Sequence, residues 1–130
     1  MAQMPLAQRA ISNSRLVLGC MSLGGGWNDE PITEDQVVAA ERAIDAALEI
    51  GITMFDHANI YTRGKAEETF GRVLKQKPSL RDQIVLQSKC GIRFAADKGP
   101  KRFDLSREHS LEPVDASLKR LGVQHLDILL

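Results

Sequence analysis

The chain has 130 residues, of which 43% are apolar and 26% are charged, and this balance is typical of one globular domain at most. Lysine plus arginine equals aspartate plus glutamate at 17 each, so no basic field favours a nucleic-acid partner. The apolar runs are far shorter than the roughly 20 residues of a membrane helix, and no signal-peptide core is present, so we expect a cytoplasmic protein with no membrane partner.

The beginning of the chain predicts an arm followed by a first strand and a first helix. Residues 1–13 are interpreted as an N-terminal arm, and residues 16–19 as a strand that leads into a glycine-rich loop at 24–26. Thr33 and Gln36 have the spacing of a capping box, which predicts a helix from there onward. From residue 14 the chain alternates short apolar runs with amphipathic stretches, a pattern typical of βα units that build a parallel sheet.

The middle of the chain continues the same alternation. The first helix has apolar residues at helical spacing, and Gly51 is placed to end it in a left-handed conformation. Residues 52–55 are predicted as the second strand, and a second helix over about 65–75 is stopped by Pro78. The third strand is predicted at 84–88. The apolar positions of the first two helices are Val37, Ala40, Ile44, Ala47, Leu48, Phe70, Val73 and Leu74.

The last third of the chain predicts a loop, a third helix and a fourth strand. Residues 92–104 are polar and are interpreted as a loop. Ser106 can cap a helix that ends at Gly122. Because proline lacks an amide, this helix must either kink at Pro113, the alternative that we favour, or begin only near Glu112. Residues 125–130 are predicted as a fourth strand, which gives about four strands and three helices in total.

Three polar side chains follow predicted strands. Asp56 and Tyr61 come after the second strand and Lys89 after the third, so all three are expected at the carboxyl edge of the parallel sheet, where α/β active sites form. Together they suit proton delivery to an oxygen that becomes negative, since an ammonium favours the phenolate and a carboxylate can hold that ammonium in place. Taken singly, a loop tyrosine is usually a packing residue and a lysine after a strand is usually solvated.

The histidines and cysteines predict no metal centre. His57 is expected to face away from Asp56, because successive strand residues point to opposite sides. His109 and His125 have no partners at ligand spacing. Cys20 and Cys90 match no zinc or redox motif and are interpreted as free buried thiols.

The segment MFDHANIYTRGKAEETFGRVL resembles the signature of the aldo-keto reductase family, in which the marked positions here are Asp56, Tyr61, Glu68 and Gly71. The segments LGCMSL, VLQSKCG and SLKRLGVQHLDILL are similar to the family's first strand, its lysine-bearing strand and its entry into strand four. The DHANIY and SKCGI stretches are most similar to the bacterial oxidoreductases of that family. The resemblance extends over nearly the whole chain from residue 15.

The resemblance implies an α/β fold, a parallel (β/α)8 TIM barrel, of which residues 14–130 would be the N-terminal half. It implies NADPH as cofactor, bound without a Rossmann motif. Tyr61 would be the general acid, Lys89 would tune it, and Asp56 would hold Lys89. Met21 and Ser22, with Asp56, would touch the cofactor, and Trp27 would line the substrate pocket. The family's catalytic histidine would follow residue 130.

The resemblance therefore implies an NADPH-dependent oxidoreductase that reduces an aldehyde or ketone to an alcohol. A second hypothesis is a non-catalytic NADPH-sensing subunit, as in relatives that serve potassium channels. A third is a Schiff-base enzyme built on Lys89, which a carboxylate at Asp56 disfavours because it keeps the lysine protonated. By itself the chain is expected to be inactive and to self-associate or need its C-terminal half, with Leu16, Leu18 and Phe55 facing water or a partner.

Overall fold

The computed structural model describes residues 5–6, 9–95 and 99–130. Two 3-10 turns, Tyr61–Gly64 and Pro78–Gln83, flank the second helix. The α-helices are α1 (Glu34–Glu49), α2 (Lys65–Gln76) and α3 (Arg107–Leu121). The strands are β1 (Pro5–Leu6), β2 (Arg9–Ala10), β3 (Val17–Gly19), β4 (Met54–Asp56), β5 (Val85–Ser88), β6 (Ile92–Arg93), β7 (Arg102–Phe103) and β8 (Ile128–Leu129).

The main sheet contains four parallel strands in the order β3-β4-β5-β8, with one α-helix between each consecutive pair. The register pairs Gly19 with Asp56, Asp56 with Gln87, and Ser88 with Leu129, so the carboxyl ends of the strands meet at one edge. The predicted α/β class is confirmed, with four parallel strands and three α-helices.

The hydrophobic core lies between the sheet and its helices. Phe55 is completely buried there, with its ring 5.4 Å from that of Phe70, and Leu18 packs against the same cluster. The expectation that these two residues face water or a partner was therefore wrong, because the register turns them toward the helices. The residues before and after them on the strands, such as Val17 and Met54, occupy the uncovered side.

Local sequence signals at the helix ends are confirmed. Thr33 and Gln36 form the complete capping box of α1, and Gly51 has a φ of +86° just beyond it. The Ser106 side chain accepts a hydrogen bond from the amide of His109 at 3.3 Å and caps α3. α3 continues through Pro113 to Leu121, and Gly122 follows it as the left-handed C-cap.

Two short antiparallel pairs lie outside the main sheet. β1 pairs with β2 inside the predicted arm, and β6 pairs with β7 inside the segment that was expected to be a loop. An ion pair of 2.9 Å between Arg93 and Asp104 closes the second pair. Cys20 and Cys90 are both buried and free, as predicted. Among the described residues, no helix has the length and apolar character to cross a bilayer.

Candidate active site

Asp56 and Lys89 meet at the carboxyl edge of the sheet. Asp56 ends β4 and Lys89 directly follows β5, so the parallel register brings them side by side. The Lys89 ammonium donates to both carboxylate oxygens of Asp56 at 2.7 Å and to the backbone oxygen of His57 at 2.8 Å. The ammonium is thus fixed by three acceptors, which leaves it little freedom to reorient.

Gln87 is a further member of this cluster that sequence reasoning missed. Its side-chain amide donates to Oδ1 of Asp56 at 2.6 Å. Gln87 and Lys89 are two residues apart, so they lie on the same side of the extended chain. A polar residue at a strand position just before the lysine was the signal that could have identified it. Gln87 keeps the carboxylate of Asp56 oriented toward Lys89.

Tyr61 stands beside the ammonium of Lys89. It begins the 3-10 turn that precedes α2, and the Lys89 nitrogen lies 4.9 Å from the centre of its ring. Burial lowers the pKa of Lys89, but its interactions with Asp56 and Tyr61 outweigh this and hold the pKa above the ordinary lysine value. The ammonium therefore remains charged next to the phenol. The structure brings together the three side chains that were predicted to act together.

The turn that carries Tyr61 has an unusual backbone. Thr62 and Arg63 have φ values of +47° and +59°, in the left-handed region that non-glycine residues seldom adopt. Thr62 is completely buried, and its hydroxyl donates to the backbone oxygen of Leu23 at 2.8 Å. Such strain persists only where surrounding contacts maintain it. The bond to Leu23 ties the Tyr61 turn to the loop that follows β3.

That loop contains the predicted cofactor residues Met21 and Ser22. The amide of Cys20 donates to the backbone oxygen of Asp56 at 2.9 Å, which places the start of the loop at the same sheet edge. Met21 is 53% exposed, and Ser22 is also exposed. Both side chains are therefore open to a ligand near Asp56.

Trp27 lies farther along, in a neighbouring cleft of about 870 Å³. Its ring is about half exposed and makes an edge-to-face contact with Phe94, with ring centres 6.4 Å apart. Asn59 and Ile60, from the segment between Asp56 and Tyr61, line the same cleft. The cleft thus adjoins the segment that carries the phenol.

His57 faces away from the polar cluster, as the sequence predicts. The imidazole is completely buried against the Phe70 ring at 4.7 Å, and neither ring nitrogen has a partner among the described residues. Burial lowers the pKa of His57 from 6.5 to about 3. The histidine is therefore a neutral packing group behind the site.

The two adjacent glutamates of α2 have different environments. Glu68, which was matched to the family signature, forms an ion pair of 2.7 Å with Arg72, and both side chains are 44% exposed. Glu67 is completely buried and bonds to Ser88 and Arg120. The sequence analysis did not single out Glu67, because periodicity alone does not reveal a partner 53 residues away. No cluster of metal-ligating side chains occurs among the described residues.

Comparisons with known proteins find related sequences and structures. A sequence model described as the Aldo/keto reductase family matches residues 15–130. The chain is 36% identical to an NADH-specific methylglyoxal reductase of Escherichia coli (strain K12), with 98% of the chain and 40% of that protein aligned. It is 33% identical to a putative voltage-gated potassium channel subunit beta of Schizosaccharomyces pombe, with 94% and 35% aligned.

A comparison with solved structures also finds a similar protein. The glycerol dehydrogenase of Gluconobacter oxydans superimposes with a TM-score of 0.70 and 30% identity, covering 89% of the chain and 34% of that protein. The chain thus spans two-fifths or less of the length of these three relatives.

Proposed function

Because the chain belongs to the aldo/keto reductase family, we propose that the full-length protein is a nicotinamide-dependent oxidoreductase that reduces an aldehyde or ketone to an alcohol. The observation that carries the proposal is the Lys89 ammonium, bonded to both oxygens of Asp56 and placed 4.9 Å from the Tyr61 ring centre. In this proposal residues 14–130 form the N-terminal half of the barrel and residues 1–13 an arm.

Tyr61 is the proposed general acid. As a carbonyl is reduced its oxygen gains negative charge, and a phenol within hydrogen-bond distance can donate a proton to it. Lys89 stabilises the phenolate left behind, so the proton is more easily released. Asp56 and Gln87 hold Lys89 in position. The bond of Lys89 to both Asp56 oxygens also disfavours a Schiff-base role, because a protonated amine is not a nucleophile.

NADPH is the proposed cofactor, and the residues at the sheet edge fit a nicotinamide. When bound, the nicotinamide supplies a hydride to the carbonyl carbon. Met21 and Ser22 are open to it on the loop after β3, and Asp56 lies beside them at the sheet edge. A relative is named as NADH-specific, so both cofactors belong in the assay.

Trp27 is the proposed substrate-contacting residue. Its exposed ring, paired with Phe94, offers an apolar wall beside the segment of Asn59 and Ile60. A small carbonyl compound is the proposed partner of that cleft. A cytoplasmic location is also part of the proposal.

A second candidate is a non-catalytic subunit that binds NADPH as a sensor. The relative named as a putative potassium channel beta subunit favours this alternative. Such a subunit would bind the cofactor and turn over almost nothing. Intact proton-delivery geometry at Tyr61 and Lys89 favours the enzyme.

Nicotinamide oxidation by the full-length protein tests the proposal. The assay follows the absorbance of the reduced nicotinamide with a panel of aldehydes and ketones, with NADPH and NADH tested in parallel. We expect turnover of at least one carbonyl compound, with NADPH preferred. Tight cofactor binding without turnover across the panel would instead support the sensor.

A further inference from the structure

A buried ionic network lies behind the site and joins three elements. Glu67 of α2 is completely buried. Its Oε1 accepts from the Ser88 hydroxyl of β5 at 2.7 Å, and its Oε2 accepts from Nε of Arg120 of α3 at 2.8 Å and forms an ion pair with Nη2 at 2.8 Å. One carboxylate therefore connects α2, the end of β5 and the last turn of α3.

The first arm of this network reaches Lys89. Ser88 directly precedes Lys89, and successive residues of an extended chain face opposite sides. Ser88 is 1% exposed and points back to Glu67, while Lys89 points forward to Asp56. The Glu67 bond thus fixes the backbone one residue before the ammonium.

The second arm reaches the turn that carries Tyr61. Arg120 Nη2 donates to the backbone oxygen of Asn59 at 3.5 Å, and the Asn59 amide donates to the backbone oxygen of Lys89 at 3.0 Å. The Arg120 side chain also packs on Gly64, where an added Cβ would lie 3.1 Å from Arg120 Cδ. Arg120 therefore contacts the chain on both sides of Tyr61.

We propose that Glu67 and Arg120 are positioning residues that set the placement of Lys89 relative to Tyr61. The inference rests on the proposed reductase function. The cost of desolvating two charges offsets much of the attraction in a buried ion pair, so apolar side chains could hold the three elements together equally well. A fully bonded network does specify a single arrangement of the groups attached to it. Here those groups are the two that deliver the proton.

The adjacent Glu68 supplies a matched control. It lies on the same helix and pairs with Arg72 on the surface, where an ion pair contributes little. Glu67→Gln and Glu68→Gln remove the same charge from neighbouring positions. If Glu67 acts by positioning Lys89 and Tyr61, only Glu67→Gln should lower kcat.

The test measures kcat, cofactor KM and the pH profile of kcat for the full-length protein and its variants. We expect Glu67→Gln to lower kcat by about tenfold or more, since a small misplacement of reacting groups costs up to roughly 10²-fold. The cofactor KM should remain within about twofold of that of the unsubstituted protein, because the substitution leaves the contacts that bind the cofactor in the ground state unchanged. The alkaline limb of the profile should move to higher pH, since a displaced Lys89 stabilises the phenolate less. Glu68→Gln should match the unsubstituted protein.

A role in stability alone would lower the melting temperature of Glu67→Gln without moving the kcat or the pH profile, and that result overturns the proposal. If Glu67→Gln does not fold, Ser88→Ala removes the first arm and keeps the ion pair. Unchanged kcat and profile in Ser88→Ala would then overturn it. The unsubstituted protein separates the two levels: absence of turnover across the carbonyl panel refutes the function itself, whereas equal turnover in the unsubstituted protein and in Glu67→Gln refutes only the positioning role.

Discussion

Tyr61 and phenylalanine differ only by the phenol hydroxyl, so replacing Tyr61 with phenylalanine tests the proposed chemistry with little change in shape. We predict that Tyr61→Phe in the full-length protein lowers turnover by at least about 10²-fold, the lower limit for loss of a general acid. The cofactor dissociation constant should change little, because the phenol acts on the carbonyl oxygen. Steady-state kinetics and a fluorescence titration of NADPH measure the two effects. Retention of most activity would exclude Tyr61 as the acid.

The ammonium of Lys89 is the second single-residue test. Lys89→Met keeps most of the stem volume but removes the charge that favours the phenolate, so turnover should fall by about 10²-fold or more. The exposed Lys75 on α2 provides the control, because Lys75→Met removes a charge far from Asp56. Loss of thermal stability without loss of turnover per folded molecule would make Lys89 a structural residue.

The neutral imidazole of His57 makes stability depend on pH. Its pKa is about 3 in the folded chain and 6.5 ordinarily, so between those values the unfolded chain binds a proton that the folded chain does not. The free energy of unfolding should fall as the pH drops from 6.5 toward 3, with a slope of at most about 1.4 kcal/mol per pH unit from this group. Urea unfolding at several pH values measures that slope. His57→Gln should flatten it, and an unchanged slope would contradict the assignment.

At the scale of elements, the close approach of α2 and α3 depends on Gly71. A Cβ there would lie 2.1 Å from the backbone oxygen of Arg120 and 2.9 Å from Leu121 Cα, and backbone atoms cannot move aside cheaply. We predict that Gly71→Ala destabilises the fold by roughly 1–3 kcal/mol, as overpacking does. Thermal unfolding measures it, with Gly19→Ala as control because a Cβ there meets no atom within 4 Å. Equal melting temperatures for Gly71→Ala and Gly19→Ala would mean that α2 and α3 can move apart without loss of stability.

Features of local origin were predictable at this scale. The capping box of Thr33 and Gln36, the Ser106 cap and the stop at Gly122 depend on neighbours within four residues, so the sequence contains all the information. The same holds for placing Asp56, Tyr61 and Lys89 at one edge, since strand order alone implies it.

Features that depend on distant partners were not predictable. The orientation of Phe55 toward the helices depends on its register with β3 and β5, which no local pattern supplies. The pairing of β6 with β7 involves two residues on each side, too few for an alternation to be visible. Glu67 was indistinguishable from Glu68 because its importance comes from Ser88 and Arg120, which lie 21 and 53 residues away.

At the scale of the whole molecule, one side of the sheet has no covering layer among the described residues. Val17 is 46% exposed, and Met54 and Val85 beside it in the register are partly exposed, as is Ile128 on the same face of the last strand. β3 and β8 form the two edges of that sheet, and no other described strand pairs with their outer sides. An uncovered apolar face bounded by open edges favours association.

We therefore predict that the isolated 130-residue chain self-associates and does not catalyse carbonyl reduction. Size-exclusion chromatography with light scattering should show species heavier than the 14.4 kDa monomer, in proportions that rise with concentration. An NADPH titration of the same sample should give weak binding. A stable monomer with micromolar affinity for NADPH would contradict this prediction.

The two buried thiols have a consequence for measuring how the sheet opens. Burial, reinforced by the charge of Asp56, raises the pKa of Cys20 to about 12, so the thiolate that reacts with alkylating reagents is scarce while the fold is closed. Cys90 is also buried and lies two strands away, just beyond the end of β5. Alkylation of Cys20 therefore reports the opening of the sheet at β3, and alkylation of Cys90 reports its opening at β5. Peptide mapping of a chain pulsed with iodoacetamide would show which cysteine reacts first, and therefore whether β3 detaches before β5 or whether both are released in one step.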